Sequence, residues 1–184
     1  ANGVTSPVFT GNSADFGGAI YGVIKQISGT FTGNTAMLGS AVFTAQCTPL
    51  IKDATFSGNT ATYKTGDMAN YGDDYAFLDE CNLSSGGDIF LYFALPTFEN
   101  TKFNGTITMV GDDSDGSTYP YISGSLLSGS KATVVIPTQF LSVYDRVNKT
   151  AKVVESPADA SLYESGMAGY SLYKETDGNL YFAK

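Results

Sequence analysis

The chain has 184 residues, with 18 Asp and Glu against 10 Lys and Arg, and it contains no His and no Trp. Its net charge of -8 argues against nucleic acid or anionic lipid as partner, because both need clustered Lys and Arg. The lack of His removes Ser–His and Cys–His catalytic arrangements and most transition-metal sites. No apolar run is long enough to span a bilayer as a helix, so we expect no membrane span in this piece.

A short motif recurs in the first third of the chain. Three copies begin with Phe and end with Asn, at residues 9–12, 31–34 and 56–59. The copies are 22 and 25 residues apart, and Gly17 and Gly39 are also 22 apart. From Gly17 to Gly86 is 69 residues, or three periods of 23, which predicts a displaced intermediate unit near Gly66. Self-similarity at this period is typical of stacked repeats.

Each unit combines short apolar segments with Gly-Asn turns. The apolar segments lie at residues 19–24, 41–43 and 89–93, and they lack the 3.6-residue spacing of a helix. Three short strands joined by turns form one coil of a parallel β-helix, in which successive coils pair strand over strand. We therefore predict an all-β parallel β-helix, with coils of about 23 residues over residues 1–110.

The repeated residue types then form columns with separate roles. The aromatic column stacks inside the coil and buries apolar area: Phe9, Phe31 and Phe56. The glycine column provides the backbone angles of a turn: Gly11, Gly33 and Gly58. The amide column is expected to hydrogen-bond to the turn backbone and to neighbouring coils: Asn12, Asn34 and Asn59. A column of small residues follows it at a corner of the coil: Ala14, Ala36 and Ala61. We interpret all four columns as structural.

Phe-x-x-Asn combined with Gly-Gly-Ala-Ile resembles the repeat of the chlamydial polymorphic outer membrane proteins. Residues 17–20 match the second half of that signature in full, and residues 39–42 match it loosely. The resemblance covers roughly residues 1–110 and extends to many similar surface proteins. It implies a right-handed parallel β-helix on a secreted or surface-displayed protein, often an adhesin or passenger domain.

Residues 63–85 depart from the repeat and predict a coil with a protruding loop. Long excursions from a solenoid often carry function, so we expect any specific recognition here or after Asp112. The pair Asp73 and Asp74 resembles part of the site of pectin hydrolases, but His and an Arg-x-Lys partner are missing. Adjacent carboxylates on a strand also point to opposite faces, so we interpret the pair as a solvated loop.

Residues 111–184 predict a β-rich terminal section that caps or extends the helix. Strands are predicted at residues 122–126 and 131–136, and residues 143–144 are expected to pair with 151–154. Asp-Gly at 177–178, between alternating residues 170–174 and 179–182, predicts a β-hairpin. A short helix is possible only at residues 159–165.

Several side chains leave two interpretations open. Asp112, Asp113 and Asp115 are the best calcium candidates, but the simpler interpretation is a flexible acidic turn. Cys47 and Cys81 either form one bridge or remain small buried residues. Three asparagines lie in N-glycosylation sequons, which matter only if the protein passes through a eukaryotic secretory route: Asn82, Asn104 and Asn148. Tyrosines near loops could stack on sugars, although aromatics on strands are more often core: Tyr63, Tyr71, Tyr75, Tyr119 and Tyr121.

The sequence assigns no catalytic, cofactor or metal residue. It favours a non-enzymatic structural or adhesive segment of an extracellular or cell-surface protein or filament. The alternative is a carbohydrate-binding or polysaccharide-degrading β-helix. Expected partners are a second copy, through end-to-end or lateral contact, or host or cell-surface glycans or proteins. An enzyme should group carboxylates and Lys on one exposed strand face, whereas a structural segment should present Thr, Ser and Asn there. Ala1 begins within the pattern, so we expect a longer protein.

Overall fold

The computed structural model describes residues 6–64, 85–111 and 119–184. Short extended segments dominate this part of the chain, and the helical content is limited to two 3-10 turns, Thr138–Phe140 and Ala160–Leu162. The strands are β1 (Val8–Thr10), β2 (Ser13–Phe16), β3 (Ile20–Gly22), β4 (Gln26–Thr32), β5 (Thr35–Leu38), β6 (Val42–Ala45), β7 (Leu50–Ser57), β8 (Thr60–Ala61), β9 (Ile89–Tyr92), β10 (Thr97–Val110), β11 (Ser123–Leu126), β12 (Lys131–Val135), β13 (Tyr163–Ser165), β14 (Ser171–Lys174) and β15 (Leu180–Ala183).

Parallel pairing between coils produces three faces. The first face stacks β1, β4, β7 and the start of β10, and the second stacks β2, β5 and β8. The third stacks β3, β6, β9 and the end of β10. Each of the first three coils therefore gives one strand to every face, and the predicted parallel β-helix is confirmed.

The first coils stack in the predicted register. Phe9 pairs with Phe31, and Phe31 pairs with Phe56. Their ring centroids are 4.7 and 4.6 Å apart, and the planes differ by only 9° and 4°. Phe31 and Phe56 are fully buried, so the aromatic column forms the interior of the coils as expected.

The third coil is longer than its sequence period suggests. Phe56 pairs directly with Phe103, which lies 47 residues further along the chain. The contact between Lys52 and Glu99 follows the same register. On the third face the backbone N–H of Gly39 donates to the Gly86 carbonyl at 2.8 Å. Gly17 and Gly86 are therefore two coil steps apart, and the prediction of three periods is wrong. An insertion about one period long adds as many residues as an extra coil would, so residue counting alone cannot distinguish the two.

Parallel stacking continues beyond residue 110. β11 pairs with β10 on the first face, and β12 pairs with β10 on the third. β13 then pairs with β12, again in parallel. Residues 119–165 thus extend the solenoid.

The hairpin β14–β15 packs against the C-terminal part of the solenoid. Its strands are antiparallel, with Leu172 opposite Phe182, which confirms the hairpin predicted from Asp-Gly. Leu180 and Phe182 are buried in the main core. Arg146 lies 3.8 Å above the ring of Tyr173, so a cation–π contact also joins the hairpin to the preceding segment.

Two local predictions are met only in part. Ala151 N–H donates to the Val143 carbonyl as expected, but Val154 forms bridges with Ile122 and Leu180 instead of a local hairpin. The predicted helix at residues 159–165 is one 3-10 turn followed by β13. The edge of β12 accepts β13, and this pairing outweighs the weak local helix signal.

Candidate functional site

The asparagine column is a continuous hydrogen-bonded ladder. Asn12 donates to Asn34 Oδ1 from its side-chain amide at 2.8 Å and from its backbone N–H at 3.0 Å. Asn34 repeats both contacts on Asn59 Oδ1, at 2.9 and 3.1 Å. The second amide proton of Asn34 goes to the Phe9 carbonyl, and that of Asn59 goes to the Phe31 carbonyl. This use of the amides supports the structural interpretation of the column.

The glycines that precede this ladder are required by backbone conformation. Gly11, Gly33 and Gly58 have φ angles of 65°, 64° and 62°. A Cβ would meet nothing within 4 Å at these positions, so space is not the constraint. The left-handed backbone is the constraint, because residues with a Cβ rarely adopt it.

A buried carboxylate lies on the third face where earlier coils have alanine. Asp88 Oδ1 accepts from Ser40 Oγ at 3.0 Å, and Oδ2 accepts from the Thr106 backbone N–H at 2.6 Å. Burial raises the pKa of the Asp88 carboxyl, and the hydrogen bonds from Thr106 and Ser40 oppose that shift. Asp88 thus links the coil before it to the coil after it. This role of Asp88 was not predicted, although an Asp in the column of Ala19 is a signal that the sequence contains.

One column on the outer side of the first face carries neutral polar groups. Thr10, Thr32 and Ser57 stack in register on this face, whereas Asn104, which follows Phe103, pairs with Lys131 on the third face. The hydroxyl oxygens of Thr32 and Ser57 are 3.5 Å apart. We call this column of Thr10, Thr32 and Ser57 the hydroxyl column.

A charged group lies at the other end of the same strands. Lys52 forms an ion pair with Glu99, and Asn100 donates to Asp53. The hydrogen bond and charge of Glu99 raise the pKa of Lys52. A lysine that acts as a base needs a lowered pKa instead, so this pair is arranged as a surface ion pair.

The tyrosines proposed for sugar stacking serve different roles. Tyr119 packs edge-on against Phe140 and Tyr144 and is half-buried in the core. Tyr121 is half-buried, with Lys152 Nζ 4.3 Å from its ring centroid. Tyr63 packs against the second apolar cluster, which contains Leu38, Phe43, Phe90 and Val110. Tyr71 and Tyr75 lie outside the described residues.

The remaining candidates are spread apart. Cys47 is half-buried, and its sulfur lies 3.0 Å from Thr44 Oγ1. Because Cys81 lies outside the described residues, the bridge between the two cysteines stays a prediction. Asn104 and Asn148 are exposed, and the Asn148 amide donates to Ser142 and Asp145. Several predicted positions lie outside the described residues: Asp73, Asp74, Cys81, Asn82, Asp112, Asp113 and Asp115.

Within residues 6–64, 85–111 and 119–184, no group of three or more Cys, Asp or Glu side chains could hold a metal ion. The two 3-10 turns are the only helices in the same part of the chain, and neither has the length and hydropathy to cross a membrane.

Stacked strands, an aromatic interior and an amide ladder define a parallel β-helix of the Phe-x-x-Asn type. The family model for the Chlamydia polymorphic membrane protein repeat matches residues 8–23. This segment is the first coil, and it contains both Phe9 to Asn12 and the Gly-Gly-Ala-Ile sequence. No curated protein and no solved structure matches the chain. The chain therefore carries a repeat of the kind found in a family of surface proteins.

Proposed function

We propose that this chain is a non-enzymatic structural or adhesive segment of an extracellular surface protein. The hydroxyl column is the observation that carries the proposal. It offers hydroxyl groups at coil spacing, where a polysaccharide-degrading β-helix would need acid and base groups. The repeat match at residues 8–23 supports a surface location.

The interior supports the same role. Phe31 and Phe56 fill the coils, and the ladder satisfies the turn amides. Similar layers that pair with each other give a support whose outer side chains can vary without changing the fold. Adhesion in this proposal comes from the hydroxyl column, with surface glycans or proteins as partners.

One charged group favours the alternative, a carbohydrate-degrading domain. It places carboxylates and an amine on one exposed face, from Lys52, Asp53 and Glu99. Against this alternative, Glu99 keeps the Lys52 amine protonated. Incubation with a panel of acidic and neutral glycans separates the two. We expect no new reducing ends and no unsaturated products. Products that disappear in the Lys52→Ala variant would establish the alternative and overturn the proposal.

Adhesion itself is tested with protein-coated beads on cultured cells and on glycan arrays. Thr32→Lys combined with Ser57→Lys places two like charges in the hydroxyl column and should reduce bead binding. Thr176→Lys, in the exposed turn of the C-terminal hairpin, adds a charge far from the column and serves as the control. Equal binding by all three proteins would remove the hydroxyl column as an adhesive surface.

A further inference from the structure

Two cation–π contacts join the turn at residues 145–149 to the hairpin β14–β15. The Arg146 guanidinium lies 3.8 Å from the ring centroid of Tyr173, and Lys149 Nζ lies 5.8 Å from that of Tyr181. Tyr173 and Tyr181 are directly opposite each other in the antiparallel pair, so their side chains share one face of the hairpin. That face therefore carries two tyrosine rings and two cations.

Carboxylates balance the charge of this group. Glu175 forms ion pairs with both cations, at 2.9 Å to Arg146 and 2.8 Å to Lys149. The Tyr181 hydroxyl donates to Asp177 Oδ2 at 2.8 Å. Two positive and two negative side chains thus lie close together. Their fields largely cancel, so the group does not select a ligand by net charge.

The backbone holds the turn against the hairpin. The Arg146 N–H donates to the carbonyl of Phe182, which is fully buried, at 2.9 Å. Asp145 Oδ1 accepts from the backbone N–H groups of Val147 and Asn148, at 2.7 and 2.8 Å. The turn is therefore fixed by its own hydrogen bonds as well as by the ion pairs. A site that is already ordered loses less entropy when a ligand binds.

Part of this ordered group is open to solvent. Tyr173 is 46% exposed although the guanidinium covers one side of its ring. The side chains of Arg146 and Lys149 are 42% and 36% exposed. The ion pair with Glu175 uses one terminal nitrogen of Arg146, and a guanidinium carries five N–H donors. An exposed aromatic ring is thus bordered by N–H groups that can still bind a ligand.

We propose that this group, which we call the tyrosine platform (Arg146, Lys149, Tyr173 and Glu175), binds a neutral pyranose unit of an oligosaccharide. A pyranose has a face of C–H groups and a rim of hydroxyls. The C–H face stacks on the Tyr173 ring, and the rim hydroxyls accept hydrogen bonds from Arg146 and Lys149. An apolar protein surface would cover the same ring but desolvate these cations without offering them acceptors, which is costly.

The tyrosine platform is separate from the hydroxyl column, which lies on the first face of the solenoid. The site therefore goes beyond the proposed structural and adhesive function. That function would stand even if the platform bound no sugar.

The probes are fluorescently labelled hexasaccharides of glucose, mannose, galactose and N-acetylglucosamine, with a sulfated hexasaccharide as the charged comparison. Binding to the full chain is followed by anisotropy. We expect saturable binding of at least one neutral probe, and no tighter binding of the sulfated one. Tyr173→Leu keeps an apolar side chain but removes the flat ring, so it should weaken binding about tenfold. Tyr173→Phe keeps the ring and should bind like the wild type.

Arg146→Met removes the N–H donors while it leaves Tyr173 in place, and it should also weaken binding about tenfold. The matched control is Tyr21→Ala, because Tyr21 is a tyrosine of the first coil that is 57% exposed. It should bind like the wild type. Thr176→Lys adds a charge in the hairpin turn without removing a ring or donor, and it should leave the binding of a neutral sugar unchanged.

Thermal unfolding of the Tyr173→Leu and Arg146→Met variants checks that both remain folded. Failure of every neutral probe to bind saturably would overturn the proposal, and so would binding that neither substitution weakens. Tighter binding of the sulfated probe than of all neutral ones would contradict the assigned ligand class. Loss of sugar binding in Thr32→Lys combined with Ser57→Lys, but not in Tyr173→Leu, would place the sugar on the hydroxyl column instead.

Discussion

Asn34 Oδ1 accepts both the backbone N–H and the side-chain amide of Asn12, at 3.0 and 2.8 Å. Asn34 is completely buried, and its own amide donates to Asn59 Oδ1 and to the Phe9 carbonyl. One side chain therefore joins three coils and leaves no polar atom unpaired. Such a position tolerates little change, because a buried polar group that loses its partner keeps its full desolvation cost.

Asn34→Asp tests the ladder. The carboxylate cannot donate, and it lies against two acceptor oxygens, so we expect a loss of about 3 kcal/mol in the free energy of unfolding at pH 7. Part of the loss should be recovered near pH 4, because a protonated Asp regains one donor. Urea unfolding at both pH values measures this. Asn104→Asp is the exposed control and should change stability by less than about 0.5 kcal/mol. Equal effects at the two positions would contradict the ladder.

Phe31→Ala tests the aromatic column. Phe31 lies between two parallel rings and is fully buried, so truncation should cost about 3–5 kcal/mol. Phe9→Ala should cost clearly less, because Phe9 is half-buried and, among residues 6–64, 85–111 and 119–184, its ring stacks only on Phe31. Chemical unfolding of both variants gives the comparison, and a reversed order would contradict the difference in burial between the two rings.

Asp88→Asn tests the buried carboxylate through pH. Because burial raises the pKa of Asp88 in the folded chain, folding favours its protonated form. Its contribution to stability is therefore greatest below the ordinary carboxyl pKa near 4, and it falls as pH rises through the raised value. The amide introduced by this substitution does not titrate, yet it can still accept from Thr106 or Ser40 through its oxygen.

The stability of wild type relative to Asp88→Asn should accordingly decrease between pH 4 and pH 7. Urea midpoints of both proteins across this range measure the difference, in which all other titrating groups cancel. A difference that is flat, or that grows with pH, would show that Asp88 has no raised pKa in the folded state.

Gly105→Ala tests the packing of the same carboxylate. A Cβ at residue 105 would overlap Asp88 Oδ2, so this small substitution should destabilise by about 1–3 kcal/mol. In the Asp88→Ala background the space is vacant, and the same substitution should cost much less. A double-mutant cycle by thermal unfolding isolates the coupling. Additive effects would mean that the two residues do not compete for one space.

The sequence predicted the repeating part of the fold well because the coils there are nearly identical. One repeated pattern gives the repeat period, the buried positions and the turn residues together, as at Phe9, Phe31 and Asn34. It therefore determines three levels of structure at once. The hairpin was predicted for a similar reason, since Asp-Gly between alternating strands acts locally.

The sequence could not count coils across the excursion, because residues 63–85 have nearly the length of one repeat. It also could not show that β11–β13 continue the stack. Their pairing depends on the edge offered by β10, and the segments that form them do not repeat the motif. Asp88 was missed because its role depends on Ser40 and Thr106 in two other coils.

Phe56 and Phe103 lie in adjacent coils, so the 47-residue step between them is a single coil. This register places Thr55 beside Lys102, with Cα atoms about one strand spacing of 4.8 Å apart. A disulfide can join such a pair. A pattern of three periods would instead place another coil between them.

The most direct measurement is disulfide formation in Thr55→Cys combined with Lys102→Cys, in a background where Cys47 and Cys81 are serine. We expect the monomer to be oxidised by dissolved oxygen, with a loss of two hydrogen atoms in its intact mass and no free thiol. In the control, Cys replaces Thr55 and Leu127, which are two coils apart by register, about 10 Å. This pair should keep its thiols. Free thiols in the first variant, or equal oxidation of both, would contradict the single interrupted coil.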